Sequence, residues 1–229
     1  MLFAGTERAV FISFDDGDHW QSLQLNLPPA SMRDLAFHKN DLIVTTHGRG
    51  FWVLDNMSAL RQLSATVANS SSAHLFEPAE VIQLIPGADF VGTPLPRDEP
   101  IADNPPAGAI IDYYLKSNAS GPVTLEIIDP SGEVIRKYSS EDKFPPIDPE
   151  KLNYPPFWAR IQEPLPATAG FHRWIWDFRP TPPALTGRGG GGRGRGGELA
   201  LPGEYTVRLT VGGKSQTQTL IVKPDPRAK

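Results

Sequence analysis

One stretch of eight residues, Ser13 to Trp20, constrains the fold of this chain more than any other part of the sequence. Its residues Ser-Phe-Asp-Asp-Gly-Asp-His-Trp have the spacing S-x-D-x-G-x-x-W and follow an apolar run at 10–12. The Ser13 hydroxyl and the Asp15 carboxylate are expected to accept hydrogen bonds from amides of the same turn. Gly17 supplies a positive φ, and Trp20 opens the return strand with a ring that we expect to be buried. The stretch therefore predicts a tight β-hairpin.

An internal repeat surrounds this hairpin. Residues 2–12 align with residues 43–53 at a separation of 41 positions, and both copies have an apolar run, a polar turn and a second apolar run. A period of about 40 to 45 residues is typical of β-propeller blades. The second copy lacks the glycine and the tryptophan of the motif, and terminal repeats often depart from a consensus in this way. We therefore predict the last one to two blades of a propeller, with strands at 2–4, 9–13, 20–25, 32–38, 41–46 and 50–55.

The composition excludes several classes of fold and function. The chain has 229 residues with 21 glycines and 24 prolines, which disfavours long helices and suits short strands joined by many turns. It has no cysteine, which excludes a disulfide framework, a thiolate nucleophile and a cysteine-ligated zinc site. A net charge of −4 does not favour nucleic acid, and no apolar run is long enough to span a membrane. We expect an all-β protein with neither a nucleic-acid partner nor a membrane span.

The second part of the chain has the pattern of an Ig-like β-sandwich. Short segments with alternating apolar residues are separated by turn sequences such as Asp129 to Gly132 and Gly212-Gly213. Seven such segments in about 150 residues are typical of two packed antiparallel sheets. We predict strands at 75–85, 108–116, 123–129, 133–139, 171–178, 203–211 and 215–222.

The expected domain organisation follows from these patterns. Residues 1–56 form the terminal blades, residues 57–72 form a polar linker, and residues 73–225 form the sandwich with a Gly/Arg-rich loop at 186–200. That loop resembles the RGG segments that bind RNA. It has no interleaved aromatic residue and lies in an acidic chain, so a flexible loop is favoured, with an RNA-binding module kept as an alternative.

Two motifs carry a resemblance to known proteins. The S-x-D-x-G-x-x-W motif resembles the Asp-box of bacterial neuraminidase-type (BNR) repeats, where the box closes a hairpin of a propeller blade away from the catalytic centre. Residues 174–179 and 201–209 look like the late strands of Ig-like domains of the flagellar hook-capping type. The order of the two parts is similar to bacterial proteins with a sortilin-like, BNR-repeat propeller followed by such a sandwich, in which a phrase like residues 46–55 typically closes the propeller. Those proteins are usually labelled glycosyl hydrolases, a label that rests on Asp-boxes without chemistry of their own.

The resemblance implies a non-catalytic C-terminal region of an exported bacterial protein, combining propeller closure with an Ig-like binding or spacer module. The first residues have no signal-peptide pattern and begin within a strand, so we expect a longer parent that is periplasmic or extracellular. The expected partners are a glycan or a protein, together with the remaining blades of the parent. The alternative is part of a sialidase-like glycoside hydrolase whose catalytic residues lie in those blades. We assign no catalytic residue, cofactor or metal ion.

Two pairs of residues are candidate ligand contacts. His47 and Arg49 lie in a loop between predicted strands, where they could form a rim for an anionic or sugar ligand; the competing interpretation is that Arg49 pairs with an acidic neighbour. Phe157 and Trp158 follow two prolines and could form an aromatic platform for sugars, although such residues more often bury themselves against a sandwich edge.

A calcium site at the Ser13–Trp20 stretch is disfavoured. Asp15, Asp16 and Asp18 do not meet the D-x-D-x-D-G spacing, and no glutamate stands at the twelfth position. We expect these aspartates to cap a turn.

Overall fold

A computed structural model describes residues 1–63, 72–84, 102, 108–156, 162–181 and 199–227. Within them the chain is almost entirely β-structure, with one short α-helix and one turn of 3-10 helix. They fall into two compact units, the first holding residues 1–63 and the second holding 72–84 and the described residues from 108 onward. Each unit has its own buried apolar core. The predicted all-β fold class is confirmed.

The first unit consists of two three-stranded antiparallel sheets. In both sheets each strand pairs with the next one along the chain, as expected for strands joined by short connections. The first sheet contains β1 (Leu2–Gly5), β2 (Val10–Ser13) and β3 (Gln21–Ser22), and the second contains β4 (Met32–His38), β5 (Asp41–Thr46) and β6 (Phe51–Leu54).

The two sheets share one small core. Val10 of β2 is buried in one cluster with Leu42 and Val44 of β5. Gly5 lies so close to β4 that a Cβ atom added there would be 2.9 Å from the Cβ of Met32. A glycine in β1 therefore lets the two sheets approach closely.

A short helix, α1 (Ser58–Gln62), follows the second sheet and adds to this core. Met57 is buried in the same cluster, and Leu60 packs against it. The Met57 amide also donates to the Asn40 carbonyl at 2.6 Å. The segment that the sequence assigns to a linker thus begins with residues that belong to the core of the first unit.

The strand β3 is shorter than the strand predicted at 20–25. A turn follows it, in which Leu25 has a φ of 44° and the Leu27 amide donates to the Gln24 carbonyl at 2.8 Å. A residue with positive φ does not continue an extended strand. This turn therefore ends the strand early.

The second unit is a β-sandwich. Its strands are β7 (Ala73–Leu75), β8 (Val81–Gln83), β9 (Ala109–Leu115), β10 (Val123–Ile128), β11 (Val134–Ser139), β12 (Gly170–Trp176), β13 (Gly203–Val211) and β14 (Lys214–Pro224). A five-stranded sheet has the order β11-β10-β13-β14-β8, and a three-stranded sheet has the order β12-β9-β7. The pairing of β8 with β14 is parallel and the other pairings are antiparallel.

Alternating residues from both sheets form the core of the sandwich. Ile111 and Tyr113 of β9 lie in the same buried cluster as Val207 and Leu209 of β13. Trp176 at the end of β12 is fully buried there too. Burying one face of each strand in this way accounts for the period of two in the sequence.

The segment predicted as one strand at 75–85 crosses from one sheet to the other. Its first part, β7, pairs with β9, whereas its second part, β8, pairs with β14. Pro78 lies between them and has no N–H to donate to a ladder. The single predicted strand is therefore two strands.

Candidate functional site

The Ser13–Trp20 turn is closed by side chains of its own residues. The hydroxyl of Ser13, a buried residue, donates to the Asp15 carboxylate at 2.9 Å and accepts from the Gly17 amide at 2.9 Å. The His19 amide donates to the same carboxylate at 2.9 Å. Gly17 has a φ of 106°, which residues with a Cβ rarely adopt. The serine, the aspartate and the glycine therefore set the shape of the turn together.

Both carboxylate oxygens of Asp15 are used within this turn. Oδ1 accepts from the His19 amide and the Ser13 hydroxyl, and Oδ2 lies 2.6 Å from His19 Nδ1. These hydrogen bonds, with that of the His19 amide first, lower the pKa of Asp15 to about 2. A general acid in catalysis needs a pKa near the working pH. The Asp15 carboxylate is therefore suited to holding the turn and not to proton transfer.

Trp20 is not buried, contrary to the sequence prediction. Its side chain is 44% exposed. The ring carbon Cζ2 lies 3.9 Å from the position that a Cβ would take at Gly17, and Leu2 approaches the same point at 3.6 Å. The ring thus packs over its own turn. The prediction is wrong because a ring that lies over a turn is covered on one side only.

The loop between β5 and β6 presents His47 and Arg49 to solvent. Its backbone is held by Thr46, whose amide and hydroxyl donate to the Gly50 carbonyl at 3.1 Å and 2.8 Å. The indole N–H of Trp52 donates to the Arg49 carbonyl at 2.9 Å. Among the described residues, neither the His47 nor the Arg49 side chain has a hydrogen-bond or ion-pair partner, so the acidic neighbour considered for Arg49 is not found there. The His47 imidazole and the Arg49 guanidinium are therefore both exposed on a loop whose backbone is held by hydrogen bonds.

The other predicted features cannot be placed. Phe157 and Trp158, the candidate aromatic platform, lie outside the described residues, as does the Gly/Arg-rich loop at 186–200 apart from its last two residues. Leu199 and Ala200 pack against the core of the sandwich.

A small apolar cleft in the first unit was not predicted from the sequence. It has a volume of about 50 Å³ and is lined by Leu23 and Leu27 around the turn after β3 and by Trp52 and Leu54 of β6. Gln24 also lines it, and its side-chain oxygen is buried without a hydrogen-bond partner in the part of the chain that the structure describes. Ligand pockets usually exceed roughly 300 Å³. The cleft is therefore a packing gap between two sheets.

The second unit holds an ion pair that the sequence does not predict. Asp112 of β9 and Arg173 of β12 face each other across two paired strands, with Nε 2.9 Å from Oδ1 and Nη2 3.0 Å from Oδ2. Asp112 alternates with Ile111 and Tyr113, so its side chain lies on the face of the sheet opposite to the core. It is nonetheless only 3% exposed. Burial raises the pKa of Asp112, although the Arg173 guanidinium opposes this shift.

An aromatic cluster lies at the start of β13. The Tyr205 hydroxyl donates to the Leu201 carbonyl, four residues earlier in the chain. Its ring makes an edge contact with Trp176 at 5.0 Å between centroids, and Trp176 makes a second one with Phe178 at 5.6 Å. The Trp176 indole N–H donates to the Arg179 carbonyl at 2.9 Å. The cluster therefore fixes two chain segments to the core.

Neither a metal centre nor a membrane helix is found in the described part of the chain. No group of three or more His, Asp or Glu residues within it could hold a metal ion. None of its helices is long and apolar enough to cross a bilayer.

Comparisons with known proteins do not assign this two-unit, all-β chain to a family. No protein-family model, no curated protein and no solved structure matches it.

Proposed function

We propose that this chain is a non-catalytic region of an exported BNR-type protein. Its first unit contributes terminal propeller blades, and its second unit is an Ig-like module for binding or spacing. One observation carries the proposal: the Asp15 carboxylate is fully engaged by Ser13 and His19 of its own turn and has a lowered pKa. An aspartate of this kind stabilises a hairpin, as the Asp-box does.

The Ig-like interpretation of the second unit is supported by the contacts of two aromatic residues, Tyr205 and Trp176. Ig-like sandwiches often carry a tyrosine near the start of a late strand whose hydroxyl bonds to the backbone a few residues upstream. Tyr205 and Leu201 have this relation at the start of β13. A tryptophan buried in the core is a second point of similarity, and here it is Trp176, which also contacts the Tyr205 ring.

The ligand rim is assigned to the loop of His47 and Arg49. An arginine guanidinium recognises carboxylate groups in bidentate fashion, and a histidine can donate or accept next to it. Both side chains are exposed on a backbone that Thr46 and Trp52 hold in place. An acidic polysaccharide supplies the matching carboxylates, so the chain should bind one at this loop.

Two assays of the full chain test this proposal. In a pull-down on an immobilised carboxylate-bearing polysaccharide, the His47→Ala/Arg49→Ala variant should bind about tenfold more weakly, the loss expected for charge-assisted hydrogen bonds. The Arg33→Ala/His38→Ala variant is the matched control, because both residues are also exposed, on neighbouring β4. Equal loss in both variants would remove the loop from the proposal. Turnover of a chromogenic aryl glycoside by the chain would favour the glycoside hydrolase instead.

A further inference from the structure

A second exposed arginine, Arg8, lies in the turn between β1 and β2. It stands 41 positions before Arg49, which is also the separation between the two copies of the sequence repeat. Arg8 is exposed, and its side chain has no hydrogen-bond or ion-pair partner in the part of the chain that the structure describes. Its guanidinium group is therefore available to a ligand, as that of Arg49 is.

The turn that carries Arg8 is held by hydrogen bonds of Thr6. The amide and the hydroxyl of Thr6 donate to the Ala9 carbonyl at 2.9 Å and 3.0 Å. The hydroxyl also accepts from the amides of Arg8 and Ala9 at 3.3 Å and 3.1 Å. Thr46 holds the loop of Arg49 in a similar way. Both arginines thus extend from backbones that are already ordered, which lowers the entropic cost of binding a ligand.

A single peptide group connects the two turns. The Met32 amide donates to the Thr6 carbonyl at 2.9 Å. The Ser31 carbonyl, which belongs to the same peptide group, accepts from the His47 amide at 2.9 Å. Two hydrogen bonds and one peptide group span about 8 Å, so the backbones of the two turns lie side by side.

Arg8 and Arg49 occupy equivalent positions relative to this connection. Arg8 is the second residue after Thr6, and Arg49 is the second residue after His47. The repeat therefore places two guanidinium groups on the same rim of the first unit. Each of them can bind a carboxylate in bidentate geometry. This rim suits a ligand that carries more than one carboxylate.

We propose that Arg8 is a second carboxylate contact of the ligand rim, and that the rim binds a polysaccharide with carboxylates on successive sugar units. The inference rests on the proposed function and narrows its ligand. Once Arg49 holds one carboxylate, a neighbouring carboxylate of the same polymer reaches Arg8 at a high effective concentration. Glu7, which is exposed beside Arg8, opposes this contact by repulsion of like charges.

Binding of the full chain to immobilised polygalacturonate, which has a carboxylate on every sugar, tests this inference. Arg8→Gln should bind about five- to tenfold more weakly, and Arg8→Lys should recover only part of the loss because lysine cannot bind a carboxylate in bidentate fashion. Glu7→Gln should bind about twofold more tightly, since a repulsive charge is removed. Far-UV circular dichroism checks that each variant is folded.

Lys39→Gln is the matched control. Lys39 is also exposed, and it follows the last residue of β4, whereas the connecting peptide group lies at the first. Its removal costs the same single charge at the other end of the strand, so the affinity should stay within about twofold of the unsubstituted chain. Equal losses in Lys39→Gln and Arg8→Gln would overturn the inference, because the effect would then be one of net charge.

A polymer with most of its carboxylates methyl-esterified tests whether two contacts act together. Its carboxylates are too sparse to meet both arginines, so Arg8→Gln and the unsubstituted chain should bind it equally. If Arg8→Gln binds polygalacturonate as well as the unsubstituted chain while His47→Ala/Arg49→Ala binds more weakly, the contact at Arg8 is overturned and the proposed function stands. Absence of binding by the unsubstituted chain would contradict both.

Discussion

At the level of single residues, Asp15 connects the sequence motif to a measurable property. Its pKa of about 2 arises from hydrogen bonds of His19 and Ser13, all within a few residues of the chain. A folded-state pKa below the ordinary value means that ionised Asp15 stabilises the turn above about pH 4, and that this stabilisation is lost as the pH falls through about 2. The carboxylate therefore contributes at neutral pH.

An NMR titration of the Asp15 carboxyl carbon should give a midpoint near 2. In His19→Ala the midpoint should move upward towards its ordinary value, because the imidazole contact is lost while the amide contact remains. Asp18→Asn is the control, since Asp18 contributes only its backbone amide to the turn, donating to the Asp15 carbonyl at 3.3 Å. A midpoint at or above the ordinary value of about 3.9 would show that the turn is not closed by this carboxylate.

The ion pair between Asp112 and Arg173 gives a second prediction at this scale. Arg173→Met leaves the buried Asp112 carboxylate without its ion-pair partner. It should lower the free energy of unfolding at pH 7 by about 3 kcal/mol. This value is near the low end for buried ion pairs because Arg173 is partly exposed. Arg208→Met is the matched control and should cost under about 1 kcal/mol, because Lys137 still pairs with Glu126. Denaturant unfolding measures both.

The pH dependence of this variant has a definite sign. Loss of Arg173 raises the folded-state pKa of Asp112 further above its ordinary value. In Arg173→Met, ionisation of the buried Asp112 therefore lowers the free energy of unfolding as the pH rises above about 4. The loss of stability of Arg173→Met, relative to the unsubstituted protein, should shrink as the pH is lowered towards about 4. A deficit that is independent of pH would mean that Asp112 is not the group left unpaired.

These two sites show which residues a sequence can predict. Ser13, Asp15 and Gly17 act within one turn, so their spacing contains the information needed to place them. Asp112 and Arg173 are brought together by the register of two strands far apart in the chain, and neither has a local pattern that marks it. The exposure of Trp20 is not predictable for the same reason, since the burial of a ring depends on what packs over it.

At the level of elements, the alternation of apolar residues predicted the strands well where one face is buried. The bounds of β4, β5 and β13 coincide with those predicted. The errors arose where the chain turns within a predicted strand. The predicted strand at 20–25 ends early at a local turn, and the one at 75–85 is divided between two sheets. For the second of these segments, the two partner sheets cannot be identified from the segment itself.

A substitution at Gly108, just before β9, tests how closely β9 and β12 approach each other at this end of the smaller sheet. It has a φ of 155°, and a Cβ added there would lie 2.5 Å from the Trp176 carbonyl oxygen. Gly108→Ala should therefore destabilise the protein by about 2–4 kcal/mol, through backbone strain and overpacking together. Thermal unfolding measures the change.

Gly170→Ala is the matched control for this clash. Gly170 opens β12 with a φ of 123°, and a Cβ added there meets no atom within 4 Å. It should cost only the strain of the positive φ, about 1–2 kcal/mol. Equal destabilisation by the two substitutions would show that β9 and β12 are not as close at Gly108 as described.

At the level of the whole molecule, each unit has its own core, and we propose a separate function for each. The first unit is proposed to be a pair of repeated sheets, and the second a sandwich fixed by Trp176 and Tyr205. The sequence predicted that repeat and a second all-β part. It could not predict how the two repeats pack against each other, because that depends on which face of each hairpin turns inward.

The central claim, that the two sheets of the first unit pack around one core, is tested most directly by a disulfide between β1 and β4. Cβ atoms at Gly5 and Met32 would lie 2.9 Å apart, and a disulfide holds them at about 3.5–4.5 Å, so a small separation of the strands accommodates the bond. In the otherwise cysteine-free chain, Gly5→Cys/Met32→Cys should oxidise within one molecule, as peptide mapping without reductant detects. Gly50→Cys/Met32→Cys should stay reduced, because a Cβ at Gly50 meets no atom within 4 Å. Free thiols in both variants would contradict this packing.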